Sequence, residues 1–139
     1  MSRFRSFLGS IFSKVLQVIS CGPLVLPISA ASLASLSHRD GENLIFLDLR
    51  DWQEIEKHSF SIPGALLTAN VSLEALAKWI PRSSTIALFA SETIAEDDVR
   101  LRMRAKKLKV YVLDGGLQSW RKAGLPLEAV TLSDRQVGR

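Results

Sequence analysis

Along most of the chain, short uninterrupted apolar runs alternate with stretches of helical spacing. Leu44-Ile45-Phe46-Leu47, Ala65-Leu66-Leu67, Thr85 to Ala90 and Val110 to Leu113 read as strands. A continuous apolar run of that length is what a strand covered on both faces needs. Between them, Ser29 to Leu36 reads as a small helix with Leu33 and Leu36 inward, and Asp51 to His58 as a turn or two of helix. Ser72 is placed to cap a helix carrying Leu73, Leu76, Ala77 and Ile80 on one stripe, ended by Pro81. Ala95 to Leu108 reads as a helix, although Val99, Leu101 and Met103 alternating with arginines also fit a strand. Leu117 to Ala123 is a last helix, stopped by Gly124 and Pro126. Pro27 marks the start of this unit, and no internal repeat or low-complexity linker interrupts it.

Strands alternating with helices predict an α/β domain built on a parallel sheet with helices on both faces. In such sheets, sites form where loops leave the carboxyl ends of the strands. Those loops are Asp48-Leu49-Arg50-Asp51, Ala90-Ser91-Glu92-Thr93 and Asp114-Gly115-Gly116, with the middle one central. The organisation expected is an N-terminal segment over 1–22, a domain over 23–130 and a loose polar tail over 131–139.

Residues 1–20 carry a different pattern. At about 100° per residue, Phe4, Phe7, Leu8, Ile11, Phe12, Val15, Leu16, Val18 and Ile19 fall in one half-circle, opposite serines, Gln17, Arg3 and Lys14. This predicts an amphipathic helix, whose apolar face needs a covering surface. That surface is the rest of the protein or a second copy, or a membrane, which bulky phenylalanines opposite small serines suit. The basic, Ser-rich, acid-free stretch also fits an organellar transit peptide if the source is eukaryotic. Val18-Ile19-Ser20-Cys21 resembles a lipoprotein box, but Lys14 leaves six residues before Cys21, fewer than the roughly 7–15 of a signal core. A spanning helix needs about twenty apolar residues, and Lys14, Gln17, Gly22 and two prolines interrupt every window.

The chain has 139 residues, with 47% hydrophobic and 23% charged positions, which suits one globular domain and excludes wholesale disorder. Net charge is +4. Arg3, Arg5, Lys14 and Arg39 precede the first acid, Asp40, and from Asp40 onward 14 acids face 14 bases. A balanced domain argues against nucleic acid as a partner. The single cysteine, Cys21, excludes an intrachain disulfide, and two histidines, His38 and His58, lack ligand spacing, so neither metal nor cofactor is expected.

Three segments, in this order, resemble the rhodanese-like domain family. Asp48-Leu49-Arg50 followed by Glu54 is similar to its Asp-x-Arg-x-x-x-Glu signature, and Ile62-Pro63-Gly64-Ala65 to its Ile-Pro-Gly-Ala turn. Val110 to Pro126, with Gly115, Gly116 and Trp120, follows its closing signature almost residue for residue. The resemblance covers roughly residues 27–128 and implies a central parallel sheet of about five short strands. It also implies sulfurtransferase chemistry, in which a cysteine ending the central strand takes sulfur from thiosulfate and passes the persulfide to an acceptor thiol. Such a thiolate needs inward-pointing amides and positive potential.

Here the chain departs from the family. Aligning Ile86 to Phe89 with the central strand puts Ala90 at the nucleophile position, in the loop Ala90-Ser91-Glu92-Thr93-Ile94-Ala95. A methyl group cannot hold a persulfide, and no histidine is placed by sequence to activate Ser91. Glu92, Glu96, Asp97 and Asp98 crowd the expected helix start, where they suit the helix dipole but repel anionic substrates. The first downstream arginine is Arg100, too far for a phosphatase-type Cys-x5-Arg loop, and Ser61 stands where the family often has histidine. Asp48 and Arg50 are expected to pair and tie loops together, and Trp120 to lie in the core.

The expectation is therefore a catalytically inactive rhodanese-like domain serving as a binding or regulatory module, with a protein partner or self-association. It is placed in the cytoplasm or peripherally at a membrane through residues 1–20. The alternatives are a sulfurtransferase using Cys21 or another nucleophile, and a membrane-surface tether.

Overall fold

The computed structural model describes residues 22–69 and 71–131. The amphipathic face of residues 4–19, Cys21 and the tail over 132–139 lie outside the described residues. Seven strands and five helices follow one another: β1 Leu24–Ile28, α1 Ala30–Asp40, β2 Leu44–Asp48, α2 Trp52–Lys57, β3 Phe60–Ser61, β4 Leu66–Leu67, α3 Leu73–Trp79, β5 Thr85–Phe89, α4 Glu96–Arg102, β6 Lys109–Leu113, α5 Gly116–Lys122 and β7 Glu128–Ala129. Five strands form one parallel sheet in the order β1-β6-β5-β2-β4, while β3 and β7 make a small antiparallel ribbon.

Side chains leave a strand alternately to its two faces, so a strand covered twice has no polar side. In β5, Ile86 and Leu88 join Val110, Val112, Val99 and Met103 on the face covered by α3 and α4. Ala87 and Phe89 point the other way, into a core with Leu33, Leu113, Leu117 and Trp120 beneath α1 and α5. Trp120 is buried, stacks edge-on against Phe46 at 6.2 Å, and donates from Nε1 to the Pro126 carbonyl at 2.7 Å.

The apolar runs of β2, β4, β5 and β6 lie where the pattern puts them, and Ser29, Asp51 and Ser72 each cap the helix that follows. Helix α1 runs four residues past Leu36, ending in His38 and Arg39, cations that suit its negative C-terminal end. Helix α4 is shorter than the predicted 95–108 and stops at Arg102. Its Val99 and Met103 are buried four residues apart while Leu101 is 60% exposed, a helical and not a strand-like spacing.

Strand β1 was not expected around Pro27. It is an edge strand, where the missing N–H of proline costs nothing if it faces outward. Leu24 donates to the Leu108 carbonyl and Ile28 accepts from Asp114, so Leu24, Leu26 and Ile28 turn their backbone groups towards β6. Val25 and Pro27 therefore face away, and the Val25 carbonyl is taken by the Arg100 guanidinium at 3.1 Å. The open edge is blunted against further strand addition. The β3–β7 ribbon was also not expected: it pairs Phe60 with Ala129 and Ser61 with Glu128 across most of the domain's length.

Candidate functional site

The sheet changes direction around β5 and β2: from β5 the chain proceeds to β6 on one side, and from β2 to β4 on the other. Loops diverge at such a switch point and leave a crevice beyond the strand ends. A cleft of about 660 Å³ lies at this end, with Arg50, Glu54, Ser91 and Glu92 in its wall.

Its first wall is the loop after β2. Asp48 and Arg50 are 0% and 1% exposed and form a forked pair, Nη2 to Oδ2 at 2.7 Å and Nε to Oδ1 at 3.0 Å. A buried ion pair persists only when its remaining donors and acceptors are also matched. Here Arg50 donates further to the carbonyls of His58 at 2.9 Å and Phe60 at 2.7 Å. Asp48 accepts from the Ser61 hydroxyl at 2.9 Å, and its carbonyl from the Thr68 hydroxyl at 2.8 Å. The expected pairing is present, and it ties α2, β3 and the residue that follows β4 to the loop after β2. Ser61, which sequence marks only as a departure from the family, supplies a buried partner for Asp48. Because Arg50 is matched in this way, its charge is not presented to an incoming anion.

Glu54 belongs to helix α2. Asp51 caps that helix, accepting from the Glu54 amide at 2.8 Å, while Glu54 accepts in return from the Asp51 amide at 3.0 Å. The other Glu54 oxygen lies 3.5 Å from the Ser91 hydroxyl across the cleft. In the Ile62-Pro63-Gly64-Ala65 turn, Ala65 donates to the Ile62 carbonyl at 3.0 Å and Gly64 has φ +79°, the geometry of a type II turn with proline and glycine at its centre. The Gly64 amide meets Glu128 at 3.2 Å, joining this turn to β7.

The second wall is the loop after β5. Ala90 begins it, half-buried, and its carbonyl accepts from the Leu117 amide at 2.8 Å. Gly116 sits directly behind: a Cβ there would fall 2.7 Å from the Ala90 oxygen and 2.7 Å from the Glu92 nitrogen. With φ +61° as well, only glycine fits. Thr93 accepts from the Gly115 amide at 2.7 Å, tying the same loop to the turn before α5. Ile94 packs into the core and Ala95 precedes α4 without a side-chain cap.

One sequence expectation about charge needs correction. Glu96, Asp97 and Asp98 do occupy the first turn of α4, but they do not line the cleft. Glu96 and Asp97 pair with Arg100, and Asp98 with Arg102. Of the four carboxylates, Glu92 alone lines it, together with Lys57, Arg121 and Lys122. The repulsion argued from that cluster therefore shrinks to one residue of it, plus Glu54. Sequence reasoning also missed the wall that α5 contributes. Gln118, Arg121 and Lys122 follow helical spacing opposite buried Leu117 and Trp120, so that periodicity was the available signal. His58 and Phe60 line the cleft as well, placed there by the α2–β3 turn that Arg50 fixes.

Several solved structures share this architecture. The full-length protein from Lactobacillus plantarum superposes with a TM-score of 0.63 at 17% identity, covering 94% of this chain and 100% of that one. A rhodanese-like domain from Anabaena gives 0.60 at 22% identity over 77% of this chain and 81% of its own. A thiosulfate sulfurtransferase from Pseudomonas aeruginosa gives 0.58 at 24%, over 78% of this chain but 20% of that larger protein. At these identities the likeness is one of fold. No curated protein matches. The family model of the rhodanese-like domain matches residues 29–123. That span takes in the Asp48–Arg50 lock, the Ile62–Ala65 turn, the Ala90 loop and the Gly115-Gly116 turn, and the chain belongs to the rhodanese-like domain family.

Proposed function

We propose that this domain is a catalytically inactive rhodanese that works by binding, its cleft serving as a recognition site. The observation that carries the reading is the side chain at the end of β5: Ala90 stands at the mouth of the central strand, where the family's chemistry requires a thiolate. Sulfur transfer from thiosulfate needs a nucleophile that attacks the sulfane sulfur, releases sulfite and holds the persulfide. The methyl of Ala90 does none of these. The serine beside it bonds weakly to Glu54, and a hydroxyl does not carry a persulfide.

The rest of the site supports binding. The scaffold that shapes the cleft is intact, from the Asp48–Arg50 lock to the glycine turn behind the loop. Its volume of about 660 Å³ is within the range that holds a small molecule or a few peptide side chains. Apolar Phe60, Leu117 and Leu127 together with the carboxylates of Glu54 and Glu92 and the cations Lys57, Arg121 and Lys122 suit a ligand that is itself amphipathic and of mixed charge. Purified protein incubated with thiosulfate and cyanide is expected to form no thiocyanate above a buffer control. Clear turnover that Cys21→Ser abolishes would replace this reading with a sulfurtransferase using Cys21.

A further inference from the structure

We propose that the end of the domain opposite the cleft is a docking surface for an anionic lipid membrane, acting together with residues 1–20. The inference concerns a different surface from the Ala90 loop and stands whether or not that loop is active.

The positions are fixed by strand register. Thr85 pairs with Lys109, and Leu24 with Lys109, so the loops before β5 and β6 and the chain arriving from residue 21 all meet at the amino ends of the strands. Leu24 donates to the Leu108 carbonyl at 2.8 Å, and the Lys106 ammonium donates to the Ile80 carbonyl, which binds the two loops together. These loops and the residues that flank them, Lys78 at the end of α3 and Lys109 at the start of β6, are rich in cations and free of acids: Lys78, Arg82, Arg104, Lys107 and Lys109 are all exposed. Among the described residues, none of the five takes part in an ion pair. The α1–β2 turn at the same end is mixed, with Arg39 against Asp40 and Glu42, so the positive stripe belongs to the loops before β5 and β6.

Trp79 stands within this stripe, between Lys78 and the Ile80 that Lys106 holds, and it is 85% exposed. A tryptophan that far out of the protein gains nothing from packing, whereas the interface between lipid headgroups and chains accommodates its ring and its N–H together. Clustered lysines and arginines supply long-range attraction to anionic headgroups, with each residue near the surface adding to it. The third component is the segment that joins the domain here. Its sequence pattern places Phe4, Phe7 and Phe12 opposite serines, with Arg3, Arg5 and Lys14 and no acid. That pattern is suited to the same surface. A group of cations and an exposed tryptophan thus share the end at which the described chain begins, leaving the cleft directed away from the lipid. Duplex nucleic acid would also meet cations, but it offers no use for Trp79 and the apolar face together.

The test is flotation of the full chain with phosphatidylcholine vesicles and with vesicles that also contain phosphatidylglycerol. The chain is expected to float with the anionic vesicles and to be released by high salt. The double variant Arg104→Glu, Lys107→Glu is expected to lower partitioning by about tenfold or more. Trp79→Ser should weaken it as well, and the blue shift of tryptophan fluorescence on vesicle addition should vanish in Trp79→Phe. All these positions are exposed, so thermal unfolding should stay as in the wild type. If the glutamate pair does unfold the protein, Arg104→Gln with Lys107→Gln is expected to show a smaller loss in the same direction. The proposal is overturned if the chain stays in solution with anionic vesicles, or if neither the charge variants nor the Trp79 variants alter flotation. It is equally overturned if those charges govern retardation of duplex DNA while vesicles leave the protein in solution.

Discussion

The loops after β2 and β5 leave the sheet side by side, and they are built to opposite standards. After β2, the central ion pair is buried and matched: Asp48 and Arg50 hold each other, and between them engage His58, Phe60 and Ser61. After β5, the backbone is fixed as tightly, by the Leu117 amide, by Thr93 and by contact with Gly116, yet the side chains it presents are a methyl, a serine 3.5 Å from its partner and an exposed glutamate. The difference separates what shapes a cleft from what reacts in it. Under the function proposed above, the shape is kept and the reacting atom is lost.

Breaking the first loop should have the largest effect. Arg50→Ala leaves Asp48 as an unpaired buried carboxylate and frees the carbonyls of His58 and Phe60. It is expected to cost about 3–5 kcal/mol, read as a lowered midpoint in urea unfolding. An unchanged midpoint would mean that the lock contributes geometry without stability.

The contact between the second loop and α5 comes next. Gly116→Ala forces a side chain into a left-handed backbone position and into the 90–92 backbone, at a cost of roughly 2–4 kcal/mol. Gly64 has a similar positive φ but nothing within 4 Å of an added Cβ, so Gly64→Ala should cost only about 1–2 kcal/mol. Equal losses in thermal melts of the two variants would show that crowding against the Ala90 loop carries no weight. The smallest effect belongs to the loop's own side chain. Ser91→Ala removes a long, weak bond and is expected to change stability by less than about 0.5 kcal/mol, and a larger loss would make Ser91 part of the lock.

Much of this was legible in the chain because the signals are local. A both-faces-buried strand needs a continuous apolar run, and those of β2, β5 and β6 stand out. Ser72 announces its helix as a cap, and Ser29 and Asp51 stand where the helical spacing of theirs begins. The Asp48–Arg50 pairing follows from two opposite charges at a strand end. What stayed hidden depends on residues distant in sequence. Pro27 argues against a strand until β1 is known to be an edge with that position outward. The β3–β7 ribbon joins residues 60–61 to 128–129, and nothing in either pair marks it. The cleft's cations come from α2 and α5, not from the loop they face. The even count of acids and bases from Asp40 onward likewise conceals their distribution. Acids gather at the start of α4, where Arg100 and Arg102 match them, and exposed bases outside these ion pairs gather around the loops at the opposite end.

The central claim rests on whether a persulfide can form at all, and the intact mass of the protein after incubation with thiosulfate reads this without depending on any acceptor. The account predicts a mass unchanged from the untreated chain, both for the wild type and for Cys21→Ser. Addition of one sulfur atom to the wild type, removed by a thiol reductant and missing in Cys21→Ser, would contradict it.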